Sequence, residues 1–183
     1  MNEVVLRRVS WMVICWIIIL GTGITMLAAV HKVTSVNGFR TGWQGIPVFM
    51  LLAGFIGRIV NCKVILRGGL LTVVNPLRSH ILPVSAIHDV AVSDDGTLEV
   101  ELDRDRVVSV YAFGGSLIDH FKGSSKETAR TISAWLGSAR VGSESKADTP
   151  QIRWTRCPSA DASLALGVVL AAVGAIWMAF TGS

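Results

Sequence analysis

A chain of 183 residues has room for one medium-sized domain, or for a small domain plus membrane anchors. Half of its residues are apolar (51%), only 16% are charged and the mean hydropathy is +0.53, whereas soluble domains average about 25% charged residues. This balance argues against an ordinary soluble globule. The net charge of +4 does not indicate a nucleic-acid groove either: Asn61 to Arg140 carries nine Lys/Arg against nine Asp/Glu, so the excess sits beside apolar runs.

The first apolar run, Trp11 to Val30, has twenty residues and no charge. As a helix rising about 1.5 Å per residue it covers about 30 Å, one hydrocarbon core. Arg7 and Arg8 precede it as they would a secretion signal, but the run is too long for a signal core and Leu27-Ala28-Ala29-Val30 is a poor cleavage site. It therefore reads as an anchor. A second span runs from about Trp43 to Val60, with Pro47 in its first turn, where a missing N–H matters least. Arg58, near its end, is expected to snorkel to the headgroups. Residues 1–60 thus form a transmembrane hairpin (spans 11–30 and 43–60), and residues 163–183 hold a third span, Ser163 to Phe180, with a short tail.

Each span has a small-residue face at four-residue spacing: Gly21, Thr25 and Ala29; Ala53 and Gly57; Gly167, Ala171 and Ala175. Such faces let helix backbones approach closely, either within one bundle or between copies in an oligomer. No Asp, Glu, Lys or His lies deep in these spans, which argues against a transporter or channel. With strict alternation, Arg7, Arg8, Arg58, Lys63, Arg67, Arg153 and Arg156 flank one side, and Lys32 and Arg40 the other. Seven against two predicts a cytoplasmic N-terminus and central domain, with the C-terminus outside.

From Cys62 the pattern changes to short strands: Lys63–Arg67, Leu70–Asn75, Arg78–Pro83, Ile87–Val92, Leu98–Leu102 and Arg106–Tyr111. Gly68-Gly69 and Asp94-Asp95-Gly96 are hairpin turns between them. Leu98-Glu99-Val100-Glu101-Leu102 alternates cleanly, leucines and valine inward and glutamates outward. A helix follows, with Ser124 as its cap, Glu127 completing a capping box, an apolar stripe of Ala129, Ile132 and Leu136, and Gly137 as its stop. Residues 138–162, rich in Ser, Gly, Pro and charge, read as a flexible linker.

The order of strands and then one helix predicts a small antiparallel barrel or two-sheet sandwich. The run from Gly69 to Ile87, with Gly69-Leu70, Asn75-Pro76, Arg78, Leu82-Pro83 and Ile87 at its fixed points, resembles the core segment of bacterial pleckstrin-homology (PH) domains. The resemblance covers Lys63 to Leu136 and implies an α+β membrane protein. Three transmembrane helices would carry a PH-like barrel or sandwich of about seven antiparallel strands (61–137), capped by a C-terminal helix. It also implies a lipid, peptide or protein ligand. The basic cluster of headgroup-binding members is missing here, since Arg67 and Lys63 are the only cations near the first hairpin.

No catalytic, metal or cofactor motif is present. Asp94, Asp95, Glu99, Glu101, Asp103 and Asp105 read as turns and a solvated face rather than a calcium site. His80, His88 and His120 lack metal-ligand spacing, and Gly114-Gly115-Ser116 lacks the context of a nucleophile. Cys15, Cys62 and Cys157 read as reduced, structural thiols. Arg67, Arg78 and His80 are the polar candidates for a binding surface, Arg78 and His80 sharing one strand face. The expected function is non-enzymatic: an integral membrane protein presenting its β domain to a protein or lipid partner, with no cofactor and no nucleic acid. The alternative is an accessory subunit whose helices stabilise a larger membrane complex.

Overall fold

The computed structural model describes residues 3–102, 106–114, 124–142 and 149–181; Asp103, Asp105, Gly115, Ser116 and His120 lie outside them. The chain forms two compact units, Met1–Arg8 with Asn61–Thr155, and Val9–Val60 with Arg156–Ser183.

The second unit is helical: α1 (Val9–Asn37), α2 (Phe39–Gly42), α3 (Gly45–Val60) and a C-terminal helix, Pro158–Thr181. Three stretches, Val9–Asn37, Phe39–Val60 and Pro158–Thr181, are long and apolar enough to cross a membrane. Each outruns its sequence-predicted span, because backbone hydrogen bonding continues into polar flanks that hydropathy leaves out. α1 ends where Gly38 takes a left-handed φ of 78° and donates its N–H to the Thr34 carbonyl at 3.0 Å. The C-terminal helix starts on Pro158, whose absent N–H would be unpaired in a first turn anyway.

Among the described residues the first unit holds eight strands: β1 (Val4–Leu6), β2 (Lys63–Arg67), β3 (Leu70–Val74), β4 (Arg78–Pro83), β5 (Ile87–Val92), β6 (Leu98–Leu102), β7 (Arg106–Ser109) and β8 (Gln151–Trp154). They make two antiparallel sheets, β1-β2-β3-β4-β8 and β5-β6-β7, and neither closes into a barrel. Arg67 pairs with Leu70 across Gly68 (φ 57°) and Gly69 (φ 78°), the two left-handed residues that a two-residue hairpin of matching twist requires. The acidic turn closes differently. Asp95 accepts the Thr97 N–H at 2.9 Å and the Thr97 hydroxyl at 3.0 Å, and Gly96 supplies the left-handed step (φ 84°).

Two strands were not anticipated. β1 is too short to show a period, and β8 lies in the stretch read as a linker. All four β8 residues are exposed, so it is held by backbone pairing to β4 rather than by burial, which leaves no hydropathy trace. β7 also stops at Ser109 rather than Tyr111, where Tyr111–Phe113 turns into a 3₁₀ segment.

One core joins both sheets and α4 (Ser124–Gly142). Val64, Leu66, Leu71, Val73 and Leu82 come from the first sheet, Val90, Leu98, Val100 and Val108 from the second, and Ala129, Ile132 and Leu136 from α4. Each fully buried Leu or Ile contributes roughly 1.5–3 kcal/mol. α4 begins at Ser124, the expected cap, but runs through Gly137 to Gly142. Two contacts account for the extra turn. Ala139 packs against the core. Arg140 donates to the carbonyls of Ile87 (2.7 Å) and His88 (3.1 Å), where a bulge interrupts β5. Gly137 is therefore a helix-interior residue, and a Cβ there would meet nothing within 4 Å. Gly137→Ala is expected to raise stability by about 0.5–1 kcal/mol through reduced unfolded-state entropy. Thermal unfolding of the detergent-solubilised protein checks this; a lower midpoint would restore the helix-stop assignment.

Candidate interaction surface

The register fixes where the predicted polar residues stand. Arg67 lies at the Arg67–Leu70–Pro83 end of the five-stranded sheet, on its outer face. There it faces Glu3 at 3.6 Å, an exposed pair worth a few tenths of a kcal/mol. Arg78 lies at the other end, opposite Trp154, on the face that also carries His80 and Ile152. The six residues of β4 span about 17 Å from one end to the other. The structure thus keeps Arg78 and His80 together and places Arg67 apart from them.

Two small concavities lie on the outer face either side of Leu70. One is lined by Glu3, Ile65, Arg67, Gly68 and Thr72, the other by Ile81, Pro83, Thr149, Gln151 and Arg153. Both linings offer apolar contact with a guanidinium at the rim, and neither contains a cysteine, a histidine or a paired set of carboxylates.

The Arg78 end is held by Asn75, a residue the sequence marks only as a turn. Its side-chain amide donates to the Ser109 carbonyl (2.9 Å), and its side-chain oxygen accepts the Tyr111 N–H (2.9 Å). Its own carbonyl accepts the hydroxyl of buried Thr155 at 2.8 Å. Thr155 also donates its N–H to the Leu77 carbonyl (3.0 Å) and shares a hydroxyl hydrogen bond with Ser79 (2.8 Å). Asn75 and Thr155 thereby tie the β3–β4 turn, the exit of β7 and the exit of β8 into one polar cluster.

The acidic residues do not gather into a cage. Asp89 and Glu101 stand opposite each other on the outer face of the three-stranded sheet, and Glu99 stands opposite Ala91. Among the described residues no group of three or more His, Cys, Asp or Glu is placed to hold a metal ion. The three cysteines are reduced and buried.

In the helical unit the close contacts fall on glycines. A Cβ on Gly54 would lie 2.7 Å from Leu164, one on Gly57 3.3 Å from Ala160 and one on Gly167 3.0 Å from Leu51, while one on Gly174 would run into the Trp43 ring. Numbering Pro158–Thr181 as α5, these contacts seat α3 against α5 in antiparallel order. Ala53 is half-buried, and Gly21, Thr25, Ala29, Ala171 and Ala175 are exposed. Sequence spacing missed Gly54 and Gly174, since backbone approach needs one glycine at each crossing rather than a repeat.

Arg58 does not snorkel. It is buried and its guanidinium meets Asp161 at 2.7 Å. Asp161, in the first turn of α5, also accepts the Cys157 N–H at 3.2 Å, so one carboxylate caps α5 and neutralises a cation on α3. In the sequence Asp161 stands out only as a charge beside the third span, because its partner lies 103 residues away.

Two outcomes follow from this chemistry. Asp161→Asn removes the carboxylate that faces the buried Arg58 guanidinium and is expected to cost the helical unit about 2 kcal/mol, less than a fully buried pair because Asp161 is partly exposed; adding Arg58→Met recovers most of the loss. Guanidine titration of the protein in micelles measures both variants, and a neutral Asp161→Asn would show that the pair contributes nothing. His80 is the second case. Burial pushes its imidazole below its ordinary range, and neighbouring Arg78 pushes the same way. The unfolded chain then binds the His80 proton first, so this contribution to stability is intact above about pH 6.5 and is lost as pH falls through the lower folded value. His80→Gln is expected to flatten the drop in unfolding midpoint between about pH 6.5 and 5; an unchanged slope would assign the drop to other groups.

No protein-family model, no curated protein and no solved structure matches the chain, so its functional reading rests on its own residues.

Proposed function

We propose that this protein is a non-enzymatic, membrane-anchored interaction module whose PH-like β domain presents a surface to a protein or lipid partner on the cytoplasmic side. The observation that carries the reading is the connectivity. β1 leads into α1 after two residues, α3 leads into β2 after two, and β8 leads into α5 after three. A domain tied to three apolar helices through connections this short works where the membrane is.

The PH-like description rests on the resemblance of the run from Gly69 to Ile87, and the fold beneath it is two open antiparallel sheets sharing a core with α4. The cytoplasmic side is supported by the flanking cations. With Arg58 engaged by Asp161 and Arg67 at the remote end of the sheet, Arg7, Arg8, Lys63, Arg153 and Arg156 remain against Lys32 and Arg40. The concavities beside Leu70 combine apolar contact with a guanidinium, Arg67 in one and Arg153 in the other, as a binding surface would.

Crosslinking in intact membranes, followed by native purification and identification of proteins and lipids together, tests the module. A partner whose crosslinks map to the β unit is expected; crosslinks confined to the apolar helices would overturn the reading. That outcome would favour the second reading, an accessory subunit, which the exposure of Ala171 and Ala175 on α5 supports. Ala171→Leu separates the two. The module reading expects unchanged partner recovery, whereas an accessory subunit would lose its complex while its β unit stays folded.

A further inference from the structure

We propose that the Arg78–Trp154 end of the five-stranded sheet is a lipid-contacting edge that seats on anionic phospholipid headgroups. This inference rests on the membrane-anchored reading and names the partner of one part of the domain's surface. The alternation of strand directions brings the C-terminal ends of β1, β3 and β8 and the N-terminal ends of β2 and β4 to this one end. All three strands that continue into apolar helices do so from here. Thr155 is pinned by its hydrogen bonds to Asn75 and Leu77, and Pro158 of α5 follows three residues later. Three residues reach at most about 11 Å. A helix that enters lipid at Pro158 therefore keeps this end within reach of the headgroups.

The side chains at this end suit that surface. Leu77 is 53% exposed and Trp154 is 63% exposed, which is costly for a monomer in water and favourable at a lipid interface, where tryptophan is enriched. Arg78 stands across from Trp154. On the opposite face of the same end, Lys63 and Arg153 occupy one row of the register, and Arg7 continues it one residue past β1. Among the described residues of this sheet and its flanks the carboxylate is Glu3, at the far end, where it is paired with Arg67. Four cations around an exposed Trp–Leu pair, with the acid placed at the opposite end, complement a negatively charged interface. The proposed edge lies away from the Gly68-Gly69 hairpin, so it is not a headgroup pocket at that turn.

Hydrogen exchange of the full chain in nanodiscs tests the proposal, with discs of phosphatidylcholine compared with discs containing phosphatidylglycerol. Amides of residues 75–80 and 151–155 are expected to exchange several-fold more slowly in the anionic discs, with little change at 66–71. High salt should weaken the difference, and Arg78→Glu with Arg153→Glu should abolish it. Because the double variant tests a structured edge, exchange of the Leu98–Leu102 strand reports whether the fold survives; if it does not, Trp154→Ala takes its place and should halve the protection or better. Equal exchange in both discs, or protection at 66–71 instead, overturns the lipid edge. If a crosslinked protein partner then protects residues 75–80, the edge binds protein rather than lipid and the module reading stands. If neither lipid nor protein partner touches the β unit, both fall.

Discussion

The constraint on which the β unit depends is that the chain enters and leaves it at one end of one sheet. Once β2 must follow α3 after two residues and β8 must precede α5 after three, strand direction leaves little freedom. β1 can join only antiparallel to β2, and β8 only antiparallel to β4. The helical unit satisfies the same condition independently. Gly54 and Gly57 near the end of α3 meet Ala160 and Leu164 near the start of α5, while Gly45 at the start of α3 meets Met26 and Val30 late in α1. The N-terminal ends of α1 and α5 and the C-terminal end of α3 therefore share one end of that unit.

That end carries the polar chemistry that edge strands need. β1 and β8 bury little, so hydrophobic area cannot hold them. β8 depends on Thr155 and Asn75, which satisfy one another and the turn carbonyls in a part-buried cluster around the buried Thr155 hydroxyl. Buried polar groups fully paired in this way fix geometry, because each lost partner leaves an unmet donor or acceptor costing about 1–3 kcal/mol. Arg140 does the equivalent for β5, meeting carbonyls where the bulge at His88 interrupts the ladder. Both edges are thus closed by side chains rather than by further strands.

What the sequence discloses follows the same division. Lys63–Arg67, Arg78–Pro83, Ile87–Val92 and Leu98–Leu102 have the predicted boundaries, and in the first and last of them burial itself alternates with period two. The apolar helices are legible as well. β1 and β8 are not, since their pairing is a tertiary event with no local pattern. The extra turn of α4 is hidden as well: a glycine after Leu136 is an ordinary stop signal, and only the reach of Arg140 to β5 overrides it. Of the candidate surface, Arg78 and His80 are legible as a pair because they are two apart in one strand. Their separation from Arg67 and their alliance with Trp154 depend on register, which a single strand does not encode. Arg58 illustrates the limit most sharply, since an arginine near a span end looks alike whether it snorkels or meets a carboxylate 103 residues away.

The placement of charge within the β unit is not what stability alone would select. Asp89 faces Glu101 across two strands, and Lys63 and Arg153 share a row with no carboxylate in it. Like charges directly opposite each other in a sheet, as Asp89 and Glu101 are, cost up to about 1 kcal/mol. The unit is close to neutral in sum, yet Asp89, Glu99 and Glu101 stand on the outer face of one sheet and Lys63, Arg78 and Arg153 at one end of the other. Segregation of this kind weakens the fold slightly and strengthens the field at each surface. A neutral sum therefore conceals a basic edge, and that edge coincides with the end from which the chain departs toward its apolar helices.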